Sequence, residues 1–221
     1  MNIKQNLNDI TSQLPEHVTL VAVSKTKPVS DLMEAYQAGQ RVFGENKIQE
    51  MVEKQEQMPK DIEWHMIGHV QRNKVKYMAE FVNLIHGVDS FKLLKEINKQ
   101  AKKHDRIINC LLQIKIAEED TKFGMSPADA KALMASKEVA SLSNVCIIGV
   151  MGMATFTEDL NQIEEEFKRL KTTFENLKHL KTNNCELKTI SMGMSGDFKL
   201  AIDCGSTMVR VGSSIFGARN Q

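Results

Sequence analysis

Cysteine is scarce and scattered. Cys110, Cys146, Cys185 and Cys204 are the only four, and no two stand close enough for a CxxC pair. That spacing excludes a small disulfide scaffold and a zinc ribbon, and thiols set in apolar runs suggest buried, reduced groups. Charge of one sign is also missing. Lysine and arginine number 29 against 28 acidic residues, a net charge of +1. No global field therefore draws the chain to nucleic acid or to an anionic membrane. The clusters Lys74–Lys76 and Lys99–Arg106 read as solvated helix faces. No stretch reaches the ~20 apolar residues of a membrane helix. The first fifteen residues are polar and lack the apolar core of a signal peptide, so a cytoplasmic location is expected. There are four prolines and twelve glycines in 221 residues. Neither gathers into a linker, which favours one domain over residues 1–221.

What is present is alternation. Short apolar runs fall at 20–24, 41–44, 63–68, 83–88, 109–116, 145–151, 186–192 and 208–212, and helical patterns separate them. A short helix over about residues 2–14 precedes the first run. Ser30, Ser90, Ser126 before Pro127, and Thr157 read as helix starts, and Gly39 as a stop. The helix opened by Thr157 carries Leu160, Ile163, Phe167, Leu170, Phe174 and Leu177 at a 3,4 spacing. Such a stripe suits a helix laid over a sheet, or a short self-association seam. Strands alternating with helices predict a parallel sheet, and eight of them predict a closed (β/α)₈ TIM-like barrel, because closure removes both exposed edges. An open doubly wound sheet is the alternative.

In such a barrel, chemistry gathers at the C-terminal strand ends. Lys25 follows the apolar run Leu20-Val21-Ala22-Val23, so its amine is expected at the barrel mouth. A partly desolvated lysine favours the neutral amine that attacks an aldehyde, which makes Lys25 a Schiff-base candidate. Lys27 is its competitor. The ends of runs seven and eight hold Ser191, Gly193, Ser195 and Gly196, and Gly212, Ser213 and Ser214. Glycines admit a phosphate close to the backbone, hydroxyls add donors, and loops after strands seven and eight are frequent phosphate sites. Arg210 alternates with Val209 and Val211. If the valines face the helices, the guanidinium points inward and needs a carboxylate or a ligand. His65 and His69 lie near a strand end, where residues four apart do not converge, so no metal site is expected. Glu118 and Glu119, adjacent on a loop, read as solvated carboxylates. No Walker loop, GxGxxG or GxSxG is present.

These segments carry a resemblance. Ala22-Val23-Ser24-Lys25-Thr26-Lys27-Pro28, Phe43-Gly44-Glu45-Asn46, the run from Trp64 to Lys74, Ser191-Met192-Gly193-Met194-Ser195, and Arg210-Val211-Gly212-Ser213-Ser214-Ile215-Phe216-Gly217 resemble the pyridoxal 5′-phosphate (PLP) homeostasis protein family, in order and over essentially the whole chain. The resemblance implies a fold-type III PLP barrel like the N-terminal domain of alanine racemase. It implies a covalent aldimine on Lys25, and Arg210 facing the pyridine nitrogen. It places Ser191, Ser195, Gly212 and Ser213 near the phosphate, with Asn46 lining the pocket. An arginine there leaves the ring nitrogen unprotonated and weakens the ring as an electron sink. One departure stands out: Gln113-Ile114-Lys115 occupies the fifth run, where the family often has Gln-Val-Asn, so an inward Lys115 would change the pocket's charge.

Three functions fit these features: a PLP carrier or buffer of vitamin B6 homeostasis, a weak amino-acid racemase, and a PLP-independent barrel enzyme acting on a phosphorylated metabolite. Racemases of this fold type need a second base, which the resemblance assigns to an added β domain and a dimer partner. The sequence ends at Gln221 with no such domain, so the expectation is a monomeric, non-catalytic carrier. Its expected partners are PLP and apo PLP-dependent enzymes, with no nucleic acid and no membrane.

Overall fold

The computed structural model describes residues 2–118, 123–180 and 183–218. Eight parallel strands close into a barrel in sequence order. They are β1 (Thr19–Val23), β2 (Val42–Glu45), β3 (Glu63–Met66), β4 (Leu84–Val88), β5 (Ile108–Gln113), β6 (Val145–Met151), β7 (Cys185–Ser191) and β8 (Met208–Val211). The barrel closes where Val21 of β1 pairs with Arg210 of β8. The helices are α1 (Ile3–Thr11), α2 (Val29–Gln37), α3 (Ile48–Gln57), α4 (Phe91–Lys103), α5 (Pro127–Met134), α6 (Lys137–Ala140), α7 (Leu160–Lys178), α8 (Phe198–Asp203) and α9 (Ser213–Phe216), with a 3₁₀ turn at Arg72–Tyr77. The expected closed barrel is therefore the observed one. Among the described residues no helix is long and apolar enough to cross a membrane.

Period-two alternation divides the core into two layers. Ala22, Phe43, Trp64, Val209 and Val211 face outward into the shell between barrel and helices. Val21, Leu84, Leu111, Ile148, Met151 and Met208 fill the barrel interior. A barrel of eight strands is just wide enough to be filled by side chains, so this inner cluster is a plug and not a pore. α7 lays Ile163, Phe167, Leu170, Phe174 and Leu177 against the sheet, all buried. Each contributes about 1.5–3 kcal/mol by leaving water.

Local signals hold at some helix ends and fail at others. Ser90 and Ser126 cap α4 and α5, accepting from Leu93 N and Asp129 N. Ser30 is no cap: α2 starts one residue earlier, with Pro28 at the N-cap. Thr157 does not open α7 either. Asp159 does, its carboxylate accepting from Asn161 N and Gln162 N, and Thr157 Oγ1 accepts from Asp159 N. A carboxylate accepts more strongly at a helix N-terminus than a hydroxyl. Leu160, expected in the buried stripe, is consequently the first helical residue and is exposed. The run 109–116 leaves the ladder after Gln113, and Ile114 makes one isolated bridge to Met125.

Candidate functional site

β1 lies between β2 and β8 in the closed barrel, so the turn after β1 stands between the strand ends that carry Asn46 and Gly212. Lys25 occupies that turn, which is closed by Lys27 N donating to Ser24 O at 3.1 Å. Val21 belongs to the inner cluster, and the two-residue period carries the inward row through Val23 to Lys25. Lys25 is half-buried. Lys27 turns away, its Nζ donating to Ala218 O at 2.9 Å. Thr26 between them has φ +64°, a left-handed conformation that is costly for a β-branched residue. The turn is held from below: Thr26 N donates to Glu50 Oε1 at 2.5 Å, and Lys54 Nζ donates to Ser24 O at 2.7 Å.

Lys54 also bonds Glu45 Oε1 and Glu50 Oε1, each at 2.7 Å, while Ser24 Oγ donates to Glu45 Oε1 at 2.6 Å. Burial pushes the Glu45 carboxyl up from its ordinary range, against the pull of the Lys54 ammonium. No signal in the sequence marks Lys54 as buried; a lysine on a helix between glutamates reads as solvated.

On the side of β1 away from β2, the ends of β7 and β8 meet. Arg210 N donates to Gly193 O at 2.9 Å, and Gly212 N donates to Ser195 Oγ at 3.2 Å. Gly212 also lies against β1, where an added Cβ would sit 3.0 Å from Val23 O. Among the described residues, the backbone N–H groups of Ser195, Gly196, Ser213 and Ser214 have no acceptor within the chain. Two adjacent loops thus offer four open donors, the arrangement that accommodates a phosphate. Asn46 is half-buried, and among the described residues its side-chain amide has no hydrogen-bond partner. Its backbone is pinned by Gly68, where an added Cβ would lie 2.3 Å from Asn46 O.

Arg210 points into the barrel at 3% exposure, as the alternation with Val209 and Val211 predicts. Nη1 donates to Ser191 Oγ at 2.6 Å and Nη2 to Gly152 O at 3.1 Å. Burial lowers the guanidinium to about 10, with Asp197 opposing, so it stays charged at neutral pH. Ser191 is fully buried, and its hydroxyl lies between Arg210 and His86 Nδ1, 3.1 Å away. It sits beneath the guanidinium, apart from the loop that carries Ser195. His86 Nε2 in turn meets His65 Nδ1 at 3.1 Å. Burial depresses His65 to about 3 and holds His86 well below its ordinary value, so both rings are neutral. Sequence reasoning missed this pair, because neither the spacing nor the strand positions of His65 and His86 announce a contact.

The remaining candidates separate. His69 lies outside the barrel, stacked on Phe123 at 4.4 Å and 3.6 Å from Asp89, while His65 lies inside it. Glu118 is exposed, and Glu119 lies outside the described residues. Lys115 is half-buried just beyond β5, its N–H donating to Met125 O. Ser195, Gly212 and Ser213 come together at one side of the mouth, with Arg210 and the buried Ser191 below them and Lys25 and Asn46 on the neighbouring strand ends.

Comparison with known proteins shows the family. Residues 1–220 match the family described as alanine racemase, N-terminal domain. A pyridoxal phosphate homeostasis protein of Pasteurella multocida (strain Pm70) is 41% identical over 235 residues, covering 100% of this chain and 99% of that protein. One of Escherichia coli (strain K12) is 40% identical over 210 residues, covering 93% and 88%. The structure of PipY from Synechococcus elongatus PCC7942 with PLP bound superimposes with a TM-score of 0.88 at 35% identity, over 97% of this chain and 100% of that one. The chain therefore belongs to the pyridoxal phosphate homeostasis protein family, built on the alanine racemase N-terminal-domain barrel.

Proposed function

We propose that this protein binds PLP covalently through Lys25 and holds it in reserve as part of vitamin B6 homeostasis, without turning over a substrate. The observation that carries the reading is the pairing of a half-buried Lys25 just past β1 with a buried, charged Arg210 on the adjacent strand, next to two loops with four open backbone donors. When bound, PLP supplies an aldehyde carbon for a lysine amine and a pyridine ring that can withdraw electrons. Lys25, at the end of β1, would supply that amine, while Lys27 directs its Nζ to Ala218 O. The open N–H groups of Ser195, Gly196, Ser213 and Ser214 bind the phosphate, helped by the Ser195 hydroxyl, and Gly212 keeps the approach clear. Asn46 lines the pocket with its unengaged amide. Arg210 offers a hydrogen bond to the ring nitrogen and withholds its proton, which disfavours carbanion chemistry and suits storage over turnover. Ser191 acts on Arg210. The protein works as a single-domain monomer in the cytoplasm and delivers PLP to apo PLP-dependent enzymes.

The test is borohydride reduction of the PLP-treated protein followed by peptide mass mapping. The expected adduct lies on the peptide containing Lys25. A visible absorbance is expected on adding PLP, lost in Lys25→Ala and kept in Lys27→Ala. A colourless protein in excess PLP, or an adduct on another side chain, overturns the binding reading. Sustained racemisation of any amino acid overturns the non-catalytic one.

A further inference from the structure

Four buried polar side chains, Arg210, Ser191, His86 and His65, form a hydrogen-bond chain whose direction can be worked out. A guanidinium has donors only, so Ser191 Oγ must accept from Arg210 Nη1, 2.6 Å away. The Ser191 hydroxyl is fully buried, and among the described residues its only other partner is His86 Nδ1 at 3.1 Å. Its own hydrogen has nowhere else to go, since a buried hydroxyl proton without an acceptor is costly. His86 Nδ1 therefore accepts. Burial keeps the His86 ring neutral, so its one hydrogen lies on Nε2, directed at His65 Nδ1 at 3.1 Å. His65 Nδ1 accepts in turn, and the neutral His65 ring carries its hydrogen on Nε2.

The chain thus ends on a donor. Among the described residues His65 Nε2 has no partner, yet it is not sealed. Among the described residues, the one fully enclosed side-chain nitrogen or oxygen without a partner is Glu45 Oε2, and His65 keeps 3% exposure. His65 pairs in register with Gly44, which pairs with Val23, two residues below Lys25 on the same inward row. The open end of the chain therefore lies one layer below the amine.

We propose that Arg210, Ser191, His86 and His65 form a one-way relay that locks both imidazoles as Nε2–H tautomers and presents the His65 N–H to an anionic oxygen of the ligand held at Lys25. The fixed charge at one end of the relay sets the polarity at the other. His65 is then a ligand-binding residue, and Ser191 and His86 are positioning residues. The last step rests on PLP being that ligand; the tautomers do not.

Long-range ¹H–¹⁵N NMR of the ¹⁵N-labelled protein without cofactor reads the tautomers at pH 7, with His65→Gln and His86→Gln assigning the signals. Both rings are expected as Nε2–H; an Nδ1–H ring or an imidazolium at either position overturns the relay. Ser191→Ala removes the enforcing hydroxyl, and the His86 signals are expected to shift toward a tautomer mixture; unchanged signals in that variant overturn the direction of the chain. PLP and its 3-O-methyl ether are then added. A shift of the His65 N–H with PLP but not with the ether assigns the acceptor to the ring phenolate. A shift appearing only when an amino acid joins PLP assigns it to that ligand's carboxylate. A Lys25 adduct that leaves the His65 N–H unmoved in both arms overturns the donor role and leaves the proposed function standing. PLP affinity is expected to fall about tenfold in His65→Phe and to recover in His65→Gln, which keeps an N–H donor.

Discussion

Lys54→Met tests how the lysine-bearing turn is held. The Lys54 side chain is 6% exposed and that of Glu45 is 0%. All three ammonium hydrogens are used, on Ser24 O, Glu45 and Glu50. Removing one partner of a buried ion pair costs about 3–5 kcal/mol. Glu45 limits that loss by taking up a proton. Burial already raises its carboxyl, and the variant deletes the cation that opposes the rise. The folded variant then holds a proton that the unfolded chain, with an ordinary value of about 4.3, releases. Stability of the variant therefore falls as pH rises from about 4.5 toward the raised folded value, by about 1.4 kcal/mol per pH unit. Wild-type protein, with the cation in place, has a shallower dependence. The assay is urea unfolding followed by the fluorescence of Trp64, the chain's single buried tryptophan. At pH 8 the midpoint is expected to drop by about 1–2 M with an unchanged slope, and the melting temperature by roughly 10 °C. At pH 5 the drop is expected to be smaller. Adding Glu45→Gln to the variant is expected to recover part of the loss and remove its pH dependence. An unchanged midpoint, or an equal loss at both pH values, would refute the reasoning.

Two further outcomes follow from buried groups elsewhere. Glu166, at 1% exposure on α7, accepts from Thr155 N at 2.6 Å, Thr155 Oγ1 at 2.7 Å and Glu118 N at 3.3 Å, and so ties the loops after β5 and β6 to the helix. Glu166→Ala is expected to cost about 3 kcal/mol and to raise amide hydrogen exchange at Thr155 and Glu118, with little change at β1; protection unchanged at both amides would show that the carboxylate does not hold these loops. His65 is depressed to about 3, below its ordinary range, so between those values the unfolded chain binds the extra proton. Stability is then complete above about pH 6.5 and falls on acidification toward pH 3, by about 1.4 kcal/mol per unit from this ring. His65→Gln is expected to flatten the pH dependence of unfolding between pH 6 and 4.5 by that amount; an unaltered slope would mean that the ring is protonated in the folded state.

The eight strands, their parallel order and the rim that carries the loops were legible in the sequence, because period-two alternation and helix spacing are local properties. Val209 and Val211 bracketing Arg210 predicted an inward guanidinium, and inward it is. Lys25, Ser195 and Gly212 could be placed at strand ends because those ends can be counted along the chain. The helix starts expected at Ser30 and Thr157 do not hold, for a local reason: the hydroxyl resembles a cap, but Pro28 or Asp159 takes the position. What the chain could not reveal by itself is which side chains meet across the barrel. His65 and His86 are 21 residues apart, and His86 and Ser191 are 105 apart. Their contact depends on strand tilt and closure, which no local pattern encodes. Lys54 is buried for the same reason: α3 packs its charged residue under the β1 turn, where Ser24, Glu45 and Glu50 supply three acceptors at once. Periodicity places a residue on a face, but only the closed barrel decides what that face meets.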